Sequence, residues 1–229
     1  MFNKKKPRQQ RVGHVVGALA GMGVVVFFLI PGNASYYSRG PLTAGHEKLK
    51  CEWCHKATTG SLRQKLQANV QYALNNRSTL VPLGYRAVVN DDCLACHERS
   101  DDRHPVFRFF EPRYAKARQL IKPQYCVSCH VEHSGKRVSI APTFCSVCHK
   151  ELTLKKDPIS VSHETLVRTK QWRTCLGCHD FHGNHRMKTP TDIRDAFADQ
   201  KIMDYLTDGP AVYPGDKIVN ARKRPPSDT

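Results

Sequence analysis

One stretch of the chain is apolar enough to stand apart from the rest. Val15 to Ile30 is a run of sixteen uncharged, mostly apolar residues, broken by Pro31-Gly32. With Val12 to Gly32 counted, it reaches the roughly 20 residues that a membrane-spanning helix needs. Elsewhere apolar positions are sparse and helical in period. Leu62, Leu66, Val70 and Leu74 stand four apart between Ser61 and Arg77. That spacing predicts a helix with Ser61 as its N-cap and a stripe used for packing. Tyr114 to Lys122 predicts a short helix closed by Pro123, which cannot continue it. Thr191 to Leu206 predicts an amphipathic helix, with Ile193, Phe197, Met203 and Leu206 on or near one face. Beyond Asp208 the chain is rich in Pro, Gly and basic residues, the make-up of an extended or disordered tail. No alternating β-branched run is long enough to propose a sheet.

The expected fold is therefore mostly irregular with short α-helices. The pattern divides the chain into a basic segment, 1–11, a transmembrane anchor, 12–34, a folded domain, 35–207, and a C-terminal tail, 208–229. Residues 1–11 hold Lys4, Lys5, Lys6, Arg8 and Arg11 and no acid. Positive charge before an apolar run keeps the N-terminus in the cytoplasm, so the chain beyond the run is exported. Gly32-Asn33-Ala34 also reads as a signal-peptidase site, which makes a cleaved signal sequence the competing reading. Tyr36-Tyr37 would sit in the far headgroup layer if the anchor stays. The expected location is a cytoplasmic membrane crossed once, with the domain in the periplasm.

Composition changes the picture of the exported part. Leu, Ile, Val and Phe make up only 20% of the residues from Ser35 onward. That is the edge at which charged chains are disordered, so something other than side chains must fill the interior. The ten cysteines indicate what. They fall in five identical patterns, Cys51/Cys54/His55, Cys93/Cys96/His97, Cys126/Cys129/His130, Cys145/Cys148/His149 and Cys175/Cys178/His179, with none left over. C-x-x-C-H is the attachment signature of c-type haem. Two thiols one helical turn apart can add to two vinyl groups on one porphyrin edge, and the next histidine falls under the iron as proximal ligand. A zinc ribbon, which the fifteen residues between Cys129 and Cys145 would allow, does not require a histidine after each second cysteine. Disulfide scaffolds lack this regular spacing.

The net charge is +16. Without the five charges of residues 1–11 it falls to +11, and the propionates of five haems come close to balancing that. The remaining charge is spread along an exported chain, so no nucleic-acid partner is expected. His14 lies at the cytoplasmic edge of the apolar run, out of reach of the domain. Six histidines remain as candidate distal ligands: His46, His104, His133, His163, His182 and His185. Five irons need at most five. His133 and His182 each follow a motif histidine by three residues. Such a residue lies beyond its own haem's proximal face and can reach only a neighbouring iron. His46, His104, His133 and His163 rank above the pair His182 and His185, one of which is spare.

With these motifs in view, the sequence resembles the class III cytochrome c family, multihaem proteins of periplasmic electron transfer. The resemblance rests on the C-x-x-C-H-x-x-H units Cys126–His133 and Cys175–His182 and on His46, five residues before Cys51. It spans about Gly45 to His185. It implies closely packed haems, little regular structure, and histidine on both sides of each iron. The expected function is a membrane-tethered, five-haem electron relay between a quinol-linked donor and a periplasmic or complex-bound acceptor, without catalysis of its own. Its expected partners are the membrane and other redox proteins or a quinol dehydrogenase complex. Two alternatives stand beside it. One is a multihaem reductase of a small nitrogen or sulfur compound. The other is the pentahaem subunit of an alternative complex III-type quinol oxidoreductase.

Overall fold

The computed structural model describes residues 8–30, 33, 36, 39–99, 102–217 and 220–222. Lys4, Lys5, Lys6, Gly32, Ala34, Tyr37 and the chain past Arg222 lie outside them. The chain divides into two units, Met1–Pro41 and Leu42–Thr229.

The first unit holds α1, Arg8–Leu29, of 22 residues. At 1.5 Å per residue it is about 33 Å long, matching a hydrocarbon core of about 30 Å. The window Gln10–Phe28 is predominantly apolar, with a mean hydropathy of 1.7, and none of it is buried. By length and composition this helix fits a membrane anchor or a signal sequence.

The second unit is helical and irregular. Its helices are short: α2 (Cys51–Cys54), α3 (Leu62–Ala73), α4 (Asn90–His97), α5 (Ala115–Leu120), α6 (Ser146–His149), α7 (His163–Arg168), α8 (Thr174–Cys178) and α9 (Asp199–Thr207). Among the described residues no strand forms; two isolated bridges join Ala57 to Tyr85 and His185 to Lys217. Four of the five cysteine motifs start or end on a helix, α2, α4, α6 and α8, and the fifth begins on a single 3-10 turn, Cys126–Ser128. One helical turn suffices to set two thiols and a histidine around one porphyrin edge.

The helix expected after Ser61 is α3. Ser61 Oγ accepts from the Gln64 N–H at 3.3 Å, and Gln64 Oε1 accepts from the Ser61 N–H at 2.8 Å. This reciprocal pair satisfies two donors that a helix start leaves open. Asn75, with φ of 58°, turns the chain back. The Asn69 side chain then exchanges two hydrogen bonds with Val81, at 2.9 and 2.8 Å. The result is a helix–strap hairpin. Its stripe of Leu62, Leu66, Val70 and Leu74, which spacing marks as a packing face, is exposed.

The helix expected over 191–206 is shorter. A 3-10 turn, Ile193–Asp195, is followed by extended backbone at Ala196 and Ala198, and α9 starts only at Asp199. The cause is a contact with α8: the Phe197 N–H donates to Gly177 O at 2.9 Å. A Cβ on Gly177 would stand 2.9 Å from Phe197 O, so the close approach needs glycine there. Breaking the helix changes its phase. The buried residues are Ile202 and Leu206, with Phe197 and Met203 packed beside them.

The segment after Asp208 is extended, but residues 208–217 belong to the domain rather than to a tail. Tyr213 is buried in one cluster with Leu176, Ile202 and Leu206. Its hydroxyl donates to Leu176 O at 3.0 Å and to His179 O at 3.3 Å. Arg222 reaches Glu98 at 2.7 Å and the Cys96 carbonyl through its own N–H at 2.9 Å.

Candidate haem-iron sites

Each of the five motif histidines faces one histidine from outside the motifs. His55 faces His133 with ring centroids 6.2 Å apart, and His97 faces His46 at 5.8 Å. His130 faces His182 at 6.1 Å, His149 faces His104 at 6.4 Å, and His179 faces His163 at 6.2 Å. Two imidazoles bound on opposite sides of one iron, each nitrogen about 2 Å from the metal, put their centroids roughly 6 Å apart. All five couples fit that separation. Beside each motif histidine stand the two cysteines able to fix a porphyrin, so the donor set and spacing fit haem. A zinc site is less well matched, because no group of three or more His, Cys, Asp or Glu in ligating position occurs among the described residues.

The hydrogen bonds leave one ring nitrogen of these histidines for a metal. Nδ1 of His46 meets Glu132 at 2.5 Å, Nδ1 of His163 meets Asp157 at 2.9 Å, and Nδ1 of His182 meets both oxygens of Asp102 at 3.1 Å. Nδ1 of His104 donates to Phe181 O and Nδ1 of His130 to Arg137 O, both at 2.7 Å. A partner on Nδ1 fixes the tautomer and points Nε2 outward, the arrangement typical of metal-bound histidine. Burial lowers the pKa of His97, His104, His130 and His179, which favours the neutral ring that binds metal. His46 moves the other way, raised chiefly by its hydrogen bond to Glu132. Burial pushes the Glu132 carboxyl up, but hydrogen bonds from His46 and Thr43 outweigh it and hold the pKa at about 2.

The local sequence explains how these side chains are aimed. His133 has φ of 62°, in the left-handed region, and Gly135 follows with φ of 67°. The reversal turns His133 away from His130 of its own motif and towards His55. At the sister unit the left-handed residue is Gly183, with φ of 69°, immediately after His182. In α4, Asp92 accepts from the Val89 N–H at 2.9 Å and pairs with Arg86 at 2.6 Å, fixing the turn that carries Cys93 and Cys96. Ser162 caps α7 by accepting from the Thr165 N–H at 3.2 Å, and so places His163.

The sixth spare histidine behaves differently. His185 is buried, its Nδ1 2.8 Å from Asp180, and its ring lies beside Tyr213 rather than opposite a motif histidine. His14 lies on α1 and bonds the Gln10 carbonyl. The carboxylates Glu132, Asp157 and Asp102 have no signal in the sequence. Glu132 adjoins His133 yet serves the His46 ring, and Asp102, which accepts from the His104 N–H at 2.9 Å, serves the His182 ring.

The motifs also touch one another. The Cys93 thiol hydrogen-bonds Cys126, which pushes the Cys93 pKa up, and the Cys145 thiol hydrogen-bonds Cys175 with the same effect on Cys145. α2 packs on α4, α4 on the Cys126 turn, and α8 on the turn before Cys145.

Residues 44–150 match the model of a family described as cytochrome c3. The matched segment takes in the first four motifs and ends before the fifth. The family is one of multihaem electron-transfer cytochromes with c-type haem. No curated protein and no solved structure matches the chain.

Proposed function

We propose that this chain is a membrane-tethered, periplasmic cytochrome with five c-type haems. In this reading it relays electrons from a quinol-linked donor in the membrane to a periplasmic or complex-bound acceptor. The observation that carries the reading is the set of five histidine couples, each joining one C-x-x-C-H histidine to one histidine from elsewhere in the chain. Haem bound at these couples supplies reversible one-electron chemistry at iron. The cysteines Cys51, Cys54, Cys93, Cys96, Cys126, Cys129, Cys145, Cys148, Cys175 and Cys178 hold the rings through thioether bonds. His55, His97, His130, His149 and His179 would hold the iron as the motif ligands, and His133, His46, His182, His104 and His163 would hold it as their partners.

With a histidine on both faces, the chain leaves no metal position for a substrate, which separates a relay from a reductase. Imidazole as second ligand also lacks the potential-raising effect of methionine. Three of the five distal rings hydrogen-bond carboxylates, which makes them more electron-rich and favours the oxidised iron. The extensions interleave the motifs: His133, after motif 3, faces His55 of motif 1, and His182, after motif 5, faces His130 of motif 3. That interleaving supports transfer between neighbouring haems without a mobile carrier.

The test is the ferric protein itself. Intact mass should give five haems per chain, and visible and magnetic resonance spectra should show low-spin iron only. A stoichiometric high-spin signal would mean an open iron and would replace the relay with the reductase reading.

A further inference from the structure

Residues 56–89 form the hairpin between the first and second motifs, and none of the histidine couples draws on them. They contain Lys56, Arg63, Lys65, Arg77 and Arg86 and no Asp or Glu. Arg86 is taken up by Asp92, which lies outside the hairpin, at 2.6 Å. The other four cations have no acidic residue anywhere in the segment. The same hairpin carries an apolar face in the open. Leu62 is 61% exposed, Leu66 48%, Val70 55% and Leu74 61%, and the returning strap adds Leu80 at 61% and Leu83 at 49%. The strap is fixed along one flank of α3, about a quarter turn from the stripe's centre, through Asn69 to Val81 and Lys65 to Leu83. The stripe is therefore not used within the hairpin.

We infer that this hairpin lies on an anionic lipid surface, with the leucine stripe in the headgroup–acyl boundary and its lysines and arginines on the lipid phosphates. A helix with one apolar face, flanked by cations and free of acids, is the pattern that binds membrane interfaces. Anionic headgroups attract each nearby Lys or Arg, an attraction that salt screens. Other occupants fit less well. A second copy would set one acid-free basic face against another. A haem on Cys51 and Cys54 lies at the hairpin's base, where the Arg86 N–H donates to the Lys56 carbonyl and Ala57 bridges to Tyr85. The stripe runs about 18 Å from Leu62 to Leu74, longer than a porphyrin is wide, so a haem at the base would leave the far end, Val70 and Leu74, open. An acidic soluble protein would answer the charge but leave the leucines without a purpose. The same chain carries α1, and the inference rests on the proposed reading of α1 as an anchor that keeps the domain at the bilayer.

The experiment uses the full-length holoprotein in lipid nanodiscs, one set of phosphatidylcholine and one with added phosphatidylglycerol, at low and high salt. Hydrogen exchange is followed by mass spectrometry over residues 62–83. In the anionic discs, exchange there should slow at least tenfold relative to the zwitterionic discs, and salt should reverse part of the effect. The double variant Val70→Asp/Leu74→Asp should lose the protection while keeping its five-haem spectrum. Equal exchange in both discs overturns the inference. So does protection that appears in detergent as protein concentration rises, which would identify a second copy. Loss of one haem from the double variant also overturns it, since the stripe would then be a haem contact. The intact mass of the purified chain reports whether α1 is retained, so a failed anchor and a failed hairpin are told apart. Exchange unchanged on anionic vesicles overturns the inference in either case.

Discussion

His182 and His185 are three residues apart, and sequence spacing ranks them as equals. In the fold His182 stands 6.1 Å from His130, while His185 is held by Asp180 beside Tyr213. The C-x-x-C-H pattern names a proximal histidine because attachment chemistry is local. A distal partner comes from another part of the chain and is set by tertiary packing, which spacing does not encode. Replacing any one of His46, His104, His133, His163 and His182 by alanine should therefore turn one low-spin haem high-spin, and His185→Ala should turn none. For His133→Ala the affected haem should be the one on Cys51 and Cys54, identified by assigning the new signal in a variant that also lacks those cysteines. If the haem on Cys126 and Cys129 changes instead, the pairing is wrong. Ring orientation gives a second readout. His104 and His149 are inclined at 84°, whereas the other couples lie between 26° and 47°. Perpendicular imidazoles leave the two iron π orbitals nearly degenerate. One of the five ferric signals should accordingly be far more anisotropic than the rest, and His104→Ala should abolish it. The carboxylates permit a third. Asp102→Asn, Asp157→Asn and Glu132→Gln should each raise one haem potential by on the order of tens of millivolts. Redox titration showing no shift would mean that these hydrogen bonds only position the rings.

At the scale of elements, α3 is legible in the sequence because everything it needs is local: a serine cap, a glutamine three residues on, and an unbroken period of four. Its stripe reads as packing by the same period, but period reports which residues share a face and not what covers that face. The C-terminal element is harder for the opposite reason. The register of α9 is set by Phe197 reaching Gly177 on α8, a contact between distant parts of the chain. That contact makes Ile202, fully buried, the centre of the cluster in place of Ile193. Ile202→Ala should cost about 2–5 kcal/mol, read as a lower melting temperature of the holoprotein. Pro, Gly and basic residues past Asp208 look like a tail by composition, yet Tyr213 closes the same cluster and bonds the backbone of His179. Removing residues 208–229 should therefore destabilise the domain and disturb the haem on Cys175 and Cys178. A truncated protein with an unchanged melting temperature and spectrum would return that segment to the status of a tail.

For the molecule as a whole, the way the motifs meet departs from their order in sequence. His133, in the extension of the third motif, faces the first, and His182, in the extension of the fifth, faces the third. The histidine couples thus link segments far apart in the chain. Among the described residues, side chains contribute one modest buried cluster around Leu176, Ile202, Leu206 and Tyr213, and Leu176 itself lies inside a C-x-x-C-H motif. Ordering the backbone costs roughly 1–2 kcal/mol per residue, and each buried aliphatic side chain returns only about 1.5–3 kcal/mol. A cluster of this size does not offset the cost for the whole domain. Porphyrin faces, thioether bonds and iron–histidine bonds must supply the rest, so folding should be coupled to haem attachment as it is to metal in small metal-dependent domains. The segment Ser35–Thr229, made with all ten cysteines changed to serine, should be unfolded by circular dichroism and should be digested throughout by dilute protease. The C-terminal cluster sharpens the expectation, because any residual structure should centre on residues 174–213 and not on the first three motifs. A cooperative thermal transition together with a resistant fragment spanning His46–His185 would show that the polypeptide has a core of its own, and the haem-centred account of this fold would fail.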